Sequence, residues 1–132
     1  MDSTEGNQPF PRGDITMQDK RHAVRYQELL LRDKTHPKDR ERQALFYIFS
    51  GMEDLYNKVN SLYDFEDNSI RPEALEGGVD LTSGTRALIE LAFNLYNGYP
   101  SRTIRDLMAP LSEDNRRLAV DAITLRFGML DK

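Results

Sequence analysis

Residues 81–100 constrain the fold of this chain more than any other part of the sequence. Read with a helical period of 3.6 residues, the segment is apolar around almost its whole circumference, and only a narrow stripe is polar. Such a helix is normally the central helix of a helical domain, because its apolar surface must be buried on most sides. We therefore predict an enclosed helix over residues 84–97. The polar stripe consists of four residues spaced four, four and three apart: Arg86, Glu90, Asn94 and Asn97.

The remaining sequence predicts further helices on both sides of this segment. Apolar residues recur at intervals of three and four in residues 52–62, and residues 44–49 form an unbroken apolar run between charged residues and a glycine. Both patterns are typical of packed helices. We expect an all-α fold, namely a compact single-domain helical bundle of about five main helices with one or two short helices. The other predicted elements are a first helix capped by Thr16, a short turn at residues 72–75, a short helix at 102–109 capped by Ser101, and a last helix from Ser112 to Gly128.

The first fifteen residues differ in composition from the rest of the chain. Gly6, Pro9, Pro11 and Gly13 interrupt a segment that has almost no apolar periodicity. Such a composition is typical of a flexible segment. We expect residues 1–15 to be a flexible leader and residues 16–132 to be one helical domain.

Composition places the 132 residues in the ordinary globular class, since 39% are hydrophobic and 30% are charged. The absence of cysteine excludes disulfides, thiol nucleophiles and cysteine-based metal sites. No apolar run approaches the ~20 residues that a membrane-spanning helix needs, and the N-terminus has no signal-peptide pattern. We expect a cytoplasmic protein that does not interact with membranes.

Charge is unevenly distributed along the chain. Residues 18–43 contain eight Lys and Arg against five Asp and Glu, a net charge of +3, whereas residues 53–80 contain two against eight, a net charge of −6. This layout can attract a charged protein partner or a second copy of the chain. Tyrosine is enriched at binding surfaces because it buries a large area while its hydroxyl stays hydrated. The predicted partner-binding residues combine the two signals: Asp64, Glu66, Asp67, Tyr56 and Tyr63.

The start of the enclosed helix is a candidate anion site, and ordinary helix capping by the same residues is the favoured alternative. Residues 82–86 place hydroxyls, a glycine and an arginine where backbone N–H groups lack partners, although the spacing is not that of a phosphate-binding loop. The polar stripe would either extend this site as a buried network or form a solvated edge. The sequence leaves both interpretations open. The candidate polar site comprises Thr82, Ser83, Arg86, Glu90 and Asn94.

The turn at residues 97–100 separates the enclosed helix from a short one that begins with Arg102, Thr103 and Arg105. This outline resembles a helix-turn-helix, in which those side chains would contact DNA. The net charge of −4 and the acidic residues nearby argue against it, since DNA-binding domains usually show a basic face. An ordinary pair of antiparallel helices is the alternative.

No catalytic motif is present, and neither histidine has a second ligand at metal-binding spacing. The acidic residues 64–68 lack the spacing and the glycine of a calcium loop. We therefore expect no enzyme activity, no metal and no cofactor.

Three apolar-rich strings, residues 45–48, 55–63 and 91–98, resemble an uncharacterised group of small helical proteins from Gram-positive bacteria and their prophages. The resemblance covers about residues 21–127. It implies a small accessory protein of a bacterium or mobile element, and it assigns no role to any residue. The predicted function is a non-enzymatic protein-interaction module, an accessory or inhibitor protein that binds and occludes a macromolecular partner. The alternatives are a DNA-binding regulator and a protein that binds a phosphate or nucleotide at residues 82–86.

Overall fold

The computed structural model describes residues 20–129, so the predicted leader and the predicted cap Thr16 lie outside the described residues. The described chain is all-α apart from one two-stranded hairpin, which confirms the predicted fold class. Its elements, in chain order, are α1 (Lys20–Asp33), α2 (Arg40–Gly51), α3 (Glu53–Asn57), α4 (Val59–Leu62), β1 (Tyr63–Asp64), β2 (Ser69–Ile70), a 3-10 helix (Pro72–Glu76), α5 (Ser83–Asn97), α6 (Ile104–Met108) and α7 (Glu113–Arg126).

The centre of the bundle is α2, which packs against α1, α5 and α7. Its residues 44–49 have no solvent exposure, because this unbroken apolar run leaves no polar side that could face water. The sequence predicted that α5 would hold this position. Helix α5 is indeed enclosed on most sides, but it keeps an exposed strip that includes Arg86 and Asn97.

The C-terminal ends of three helices meet the N-terminal end of α2. Arg42 near the start of α2 contacts Asp33 at the end of α1 and Tyr96 at the end of α5. Glu41 forms an ion pair with Arg126 at the end of α7, with 3.5 Å between Oε2 and Nη2. At the opposite end of α2, Gly51 lies close to the buried Leu118 of α7. Helix α7 therefore runs antiparallel to α2.

The region between α2 and α5 is more divided than the sequence indicated. The helix predicted over residues 52–62 is broken at Lys58, whose φ of −103° and ψ of 10° separate α3 from α4. Residues 63–70 form a hairpin with Tyr63 opposite Ile70, where the sequence predicted only a connection. The predicted helical turn at residues 72–75 is confirmed as the 3-10 helix.

The later helices follow the predictions closely. Helix α5 begins after the N-cap Thr82, and α7 begins after the predicted cap Ser112, whose side chain accepts a hydrogen bond from the backbone N–H of Asn115. Helix α6 is shorter than predicted and is capped by Thr103 rather than Ser101. Within residues 20–129, no helix combines the length and the apolarity that crossing a membrane requires.

Candidate functional site

The first helix has its buried and exposed faces in unexpected places. The buried positions are His22, Tyr26, Leu29 and Asp33, spaced four, three and four residues apart. The imidazole Nε2 of His22 donates a hydrogen bond to the backbone oxygen of Tyr47 at 3.1 Å, which satisfies this polar group in the core. Apolar periodicity alone does not predict this face, because two of its four positions carry polar side chains.

The outer face of α1 exposes two large aliphatic side chains. Val24 is 66% exposed and Leu31 is 76% exposed. They are seven residues apart, so they lie within about 20° of each other around the helix axis and about 10 Å apart along it. Their spacing of seven residues is the signal in the sequence that indicates a second apolar face of α1.

Beside this face, a groove runs between α1 and the α3–α4 region. It consists of two adjoining open clefts of about 370 and 330 Å³, which share Glu28 and Tyr56. Tyr56, one of the predicted partner-binding residues, therefore lies in the middle of the groove. The first cleft is lined by Lys20, Arg21, Val24, Arg25, Glu28 and Tyr56, and the second by Glu28, Leu29, Arg32, Tyr56, Asn57, Val59 and Asn60.

Two arginines of the groove lie over aromatic rings. The guanidinium carbon of Arg25 is 5.5 Å from the centre of the Tyr56 ring, and Arg25 Nε donates to the backbone oxygen of Ser50 at 3.0 Å. The guanidinium carbon of Arg32 is 3.9 Å from the centre of the Phe65 ring. Both side chains are thus fixed by cation–π contacts, which hold positive charge along the groove.

The acidic hairpin loop uses part of its charge internally. Oδ1 of Asp64 accepts hydrogen bonds from the backbone N–H groups of Glu66 and Asp67 at 2.9 and 3.1 Å. The hydrogen bond from Asp67 is the main cause that holds the pKa of Asp64 below its ordinary value, and Arg71 adds to it. Glu66 and Asp67 have exposed side chains, whereas Asp64 stabilises the turn.

Tyr63 lies in the core and not on the surface. It was predicted as an exposed contact residue, but it is only 1% exposed. Its hydroxyl donates to Oδ1 of Asp33 at 2.7 Å and accepts a hydrogen bond from Nε of Arg42 at 3.0 Å. Burial and the Asp33 carboxylate raise the pKa of the Tyr63 hydroxyl above its ordinary value, while Arg42 opposes that shift. Tyr63 is therefore part of the core and is unavailable to a partner.

The Asp33–Arg42 pair is the centre of a polar network that the sequence did not reveal. The three guanidinium nitrogens of Arg42 donate to Tyr63, Asp39, Tyr96 and the backbone oxygen of Asn68. Burial lowers the pKa of Arg42, but its hydrogen bonds with Tyr63 and Asp39 outweigh that effect and raise the pKa above the ordinary value. An open cleft of about 460 Å³ borders the network. Because Arg42 is occupied by partners within the protein, the network stabilises the junction of the helices.

The polar groups of the predicted anion site are largely paired with other groups of the protein. Thr82 and Thr85 form a reciprocal capping box, in which each side chain accepts a hydrogen bond from the backbone N–H of the other. Ser83 is exposed, and Arg86 forms an ion pair with Glu90, with 3.2 Å between Nε and Oε2.

The polar stripe of α5 is divided between the interior and the surface. Glu90 is buried and forms an ion pair with Arg102, with 3.0 Å between Oε2 and Nη2. Burial raises the pKa of Glu90, but the hydrogen bonds and charge of Arg102 outweigh it, so the net pKa is lowered. Asn94 donates from Nδ2 to the backbone oxygen of Tyr99 at 2.9 Å. The stripe therefore holds the turn that follows α5.

The three residues of the DNA-binding alternative have different structural roles. Arg102 is engaged by Glu90, Thr103 caps α6, and Arg105 is exposed. Helix α6 has five residues, which is less than two turns. In helix-turn-helix proteins the recognition helix lies along the major groove, and α6 offers little length for that contact.

In the described part of the chain, no group of three or more His, Asp or Glu side chains is arranged to hold a metal ion. The polar networks described above are thus paired within the protein. The groove beside α1, in contrast, is open and is lined by the exposed side chain of Val24. The groove is the candidate functional site.

Comparison with known proteins places the chain in a family but assigns no activity. No curated protein and no solved structure matches it. A family of unknown function, DUF6075, matches residues 12–130, which is nearly the whole chain. The chain therefore belongs to the DUF6075 family of unknown function.

Proposed function

We propose that this protein is a non-enzymatic protein-interaction module of the cytoplasm. It is an accessory protein, of the bacterial or mobile-element kind that the sequence resemblance implies, and it acts by binding a protein partner and occluding part of its surface. The observation that carries the proposal is the groove that contains Tyr56 and is lined by the exposed Val24, with the exposed Leu31 one heptad further along the same helix.

Val24 and Leu31 can contribute to binding because they lie on the same face of α1. Single exposed aliphatic side chains are normal on protein surfaces. Here two of them share one helix face, and full burial of each would contribute about 1.5–3 kcal/mol to an interface. Tyrosine and arginine dominate the energetic centres of interfaces, and Tyr56 and Arg25 lie beside Val24.

The hairpin tip supplies a second contact in this proposal. Glu66 and Asp67 carry exposed negative charge beyond the end of the groove at Arg32. Exposed charge of this kind contributes more to the rate of association than to affinity. Asp64 is left out of this contact because reversing its charge would disrupt the turn that it caps.

The test compares two double variants of the full chain in the organism that encodes it. Val24→Gln/Leu31→Gln removes the two exposed aliphatic side chains of α1. Ile104→Gln/Val120→Gln removes two exposed aliphatic side chains of other helices. The proposal expects a protein that co-purifies with the wild-type chain to be lost with the first variant and retained with the second. Both variants should keep the wild-type melting temperature. Retention of the partner by the first variant would contradict the proposal.

A further inference from the structure

We infer that the groove between α1 and α3 binds an acidic amphipathic helix of the partner. The inference rests on the proposed function and adds the chemistry of the segment that is bound. It follows from the shape of the groove, from the charge along it, and from the poor fit of a second copy of α1.

The shape of the groove suits a helix. Its lining residues on α1 extend from Lys20 to Arg32, a length of about 18 Å or roughly three helical turns. Val24 and Leu31 are one heptad apart, which is the spacing at which one helix packs along another. A partner helix with apolar residues at intervals of three and four would place them against Val24 and Tyr56, which line the groove.

The charge of the groove selects an acidic occupant. The residues that line it include four basic side chains, Lys20, Arg21, Arg25 and Arg32, and a single acidic one, Glu28. A groove with a net positive lining attracts acidic segments and disfavours basic ones. Carboxylates that flank the apolar positions of the partner helix would face these basic residues.

A second copy of α1 does not provide that charge. Helix α1 contains four basic residues, Lys20, Arg21, Arg25 and Arg32, against two acidic ones, Glu28 and Asp33, so a second copy of it is itself net basic. Packing of two such helices brings like charges together, which is destabilising. We therefore assign the groove to an acidic helix of another protein.

The experiment measures binding of a labelled probe peptide to the full chain by fluorescence anisotropy. The probe is a helix of about 18 residues with leucine at intervals of three and four and glutamate at the remaining positions. One control peptide has lysine in place of each glutamate, and another has serine in place of each leucine. We expect the acidic amphipathic probe alone to bind, and its affinity to fall as salt rises.

Two charge variants of the protein locate the binding site. Lys20→Glu/Arg21→Glu reverses two charges of the groove, and we expect it to weaken probe binding by about tenfold or more. Lys38→Glu/Arg105→Glu reverses two exposed charges that do not line the groove, and we expect it to change affinity by less than about twofold.

Three outcomes would overturn the inference: no binding of the acidic probe, equal binding of the lysine probe, or equal weakening by both charge variants. Sedimentation that shows head-to-tail oligomers sensitive to Lys20→Glu/Arg21→Glu would also overturn it, since a second copy would then occupy the groove. If the co-purifying partner is lost with Val24→Gln/Leu31→Gln but retained with Lys20→Glu/Arg21→Glu, the inference fails while the proposed function stands.

Discussion

Nη2 of Arg42 donates a hydrogen bond to the hydroxyl oxygen of Tyr96 at 2.9 Å, and this contact joins the start of α2 to the end of α5. The same guanidinium also reaches the hairpin through the backbone oxygen of Asn68 and the end of α1 through Asp33. A planar group with several donors in fixed directions can connect four elements in this way. Helix α1, which carries the proposed binding face, is thus held at its C-terminal end by Arg42.

Replacement of Arg42 should therefore destabilise the whole domain. We predict that Arg42→Lys lowers the free energy of unfolding by about 1–3 kcal/mol, because a lysine cannot supply donors to all of these partners and leaves buried acceptors without one. Urea unfolding followed by circular dichroism measures the change. The exposed Arg105→Lys is the matched control, and equal stability of the two variants would contradict the assigned role of Arg42.

Replacement by phenylalanine should affect the free energy of unfolding differently at Tyr63 and at Tyr56. Tyr63→Phe removes a donor from the buried Asp33 carboxylate, so we predict a loss of about 1–3 kcal/mol in the free energy of unfolding. Tyr56→Phe alters a half-buried ring in the groove, and we expect a change within about 0.5 kcal/mol. A similar effect of both substitutions in thermal unfolding would show that Tyr63 is not a core residue.

Glu90 should make the stability depend on pH in the acidic range. Its folded-state pKa lies below the ordinary value of about 4.3, because Arg102 and Arg86 outweigh the effect of burial. The unfolded chain therefore binds a proton more readily, so the contribution of Glu90 is complete above the ordinary pKa and is lost as pH falls through the folded pKa.

The variant Glu90→Gln separates this effect from other carboxylates. We predict that it is less stable than wild type by about 1–2 kcal/mol near neutral pH, a modest value because both arginines are partly exposed. The difference should shrink as pH falls below about 4, and urea unfolding at several pH values measures it. A difference that grows on acidification would show that the sign of the pKa shift is wrong.

Gly51 of α2 packs directly against the side chain of Leu118 of α7. A methyl group at this position would overlap the side chain of the buried Leu118. We predict that Gly51→Ala lowers the free energy of unfolding by about 1–3 kcal/mol despite the better helix propensity of alanine. In the double variant Gly51→Ala/Leu118→Ala the added methyl has space. The double variant should therefore lose less free energy of unfolding than the two single variants lose together. Additive losses in chemical unfolding would exclude this close packing.

The fold class could be predicted from the sequence because its signals are local. The apolar runs of α2 and α5 and the cap Ser112 each specify a helix through nearby residues, and all three appear in the structure. The break at Lys58 and the strand pair Tyr63–Ile70 could not be predicted, since tertiary packing around Phe46 and Phe65 stabilises that region.

The candidate site was less accessible to sequence reasoning for a physical reason. His22 and Asp33 occupy buried positions of α1, and an argument from apolarity assigns such residues to the surface. Apolarity alone therefore does not reveal that Val24 and Leu31 lie on the exposed face of α1. Tyr56, which the sequence predicted as a partner-binding residue, lines the groove, whereas the partners of Arg42 are too distant in sequence for any periodicity to reveal.

Amide hydrogen exchange of the full chain, with and without its co-purified partner, locates the surface that the partner covers. We predict that the partner increases protection in residues 20–32 and 53–60, which border the groove, and leaves α6 and α7 unchanged. Protection confined to α6 and α7, with none along α1, would contradict it.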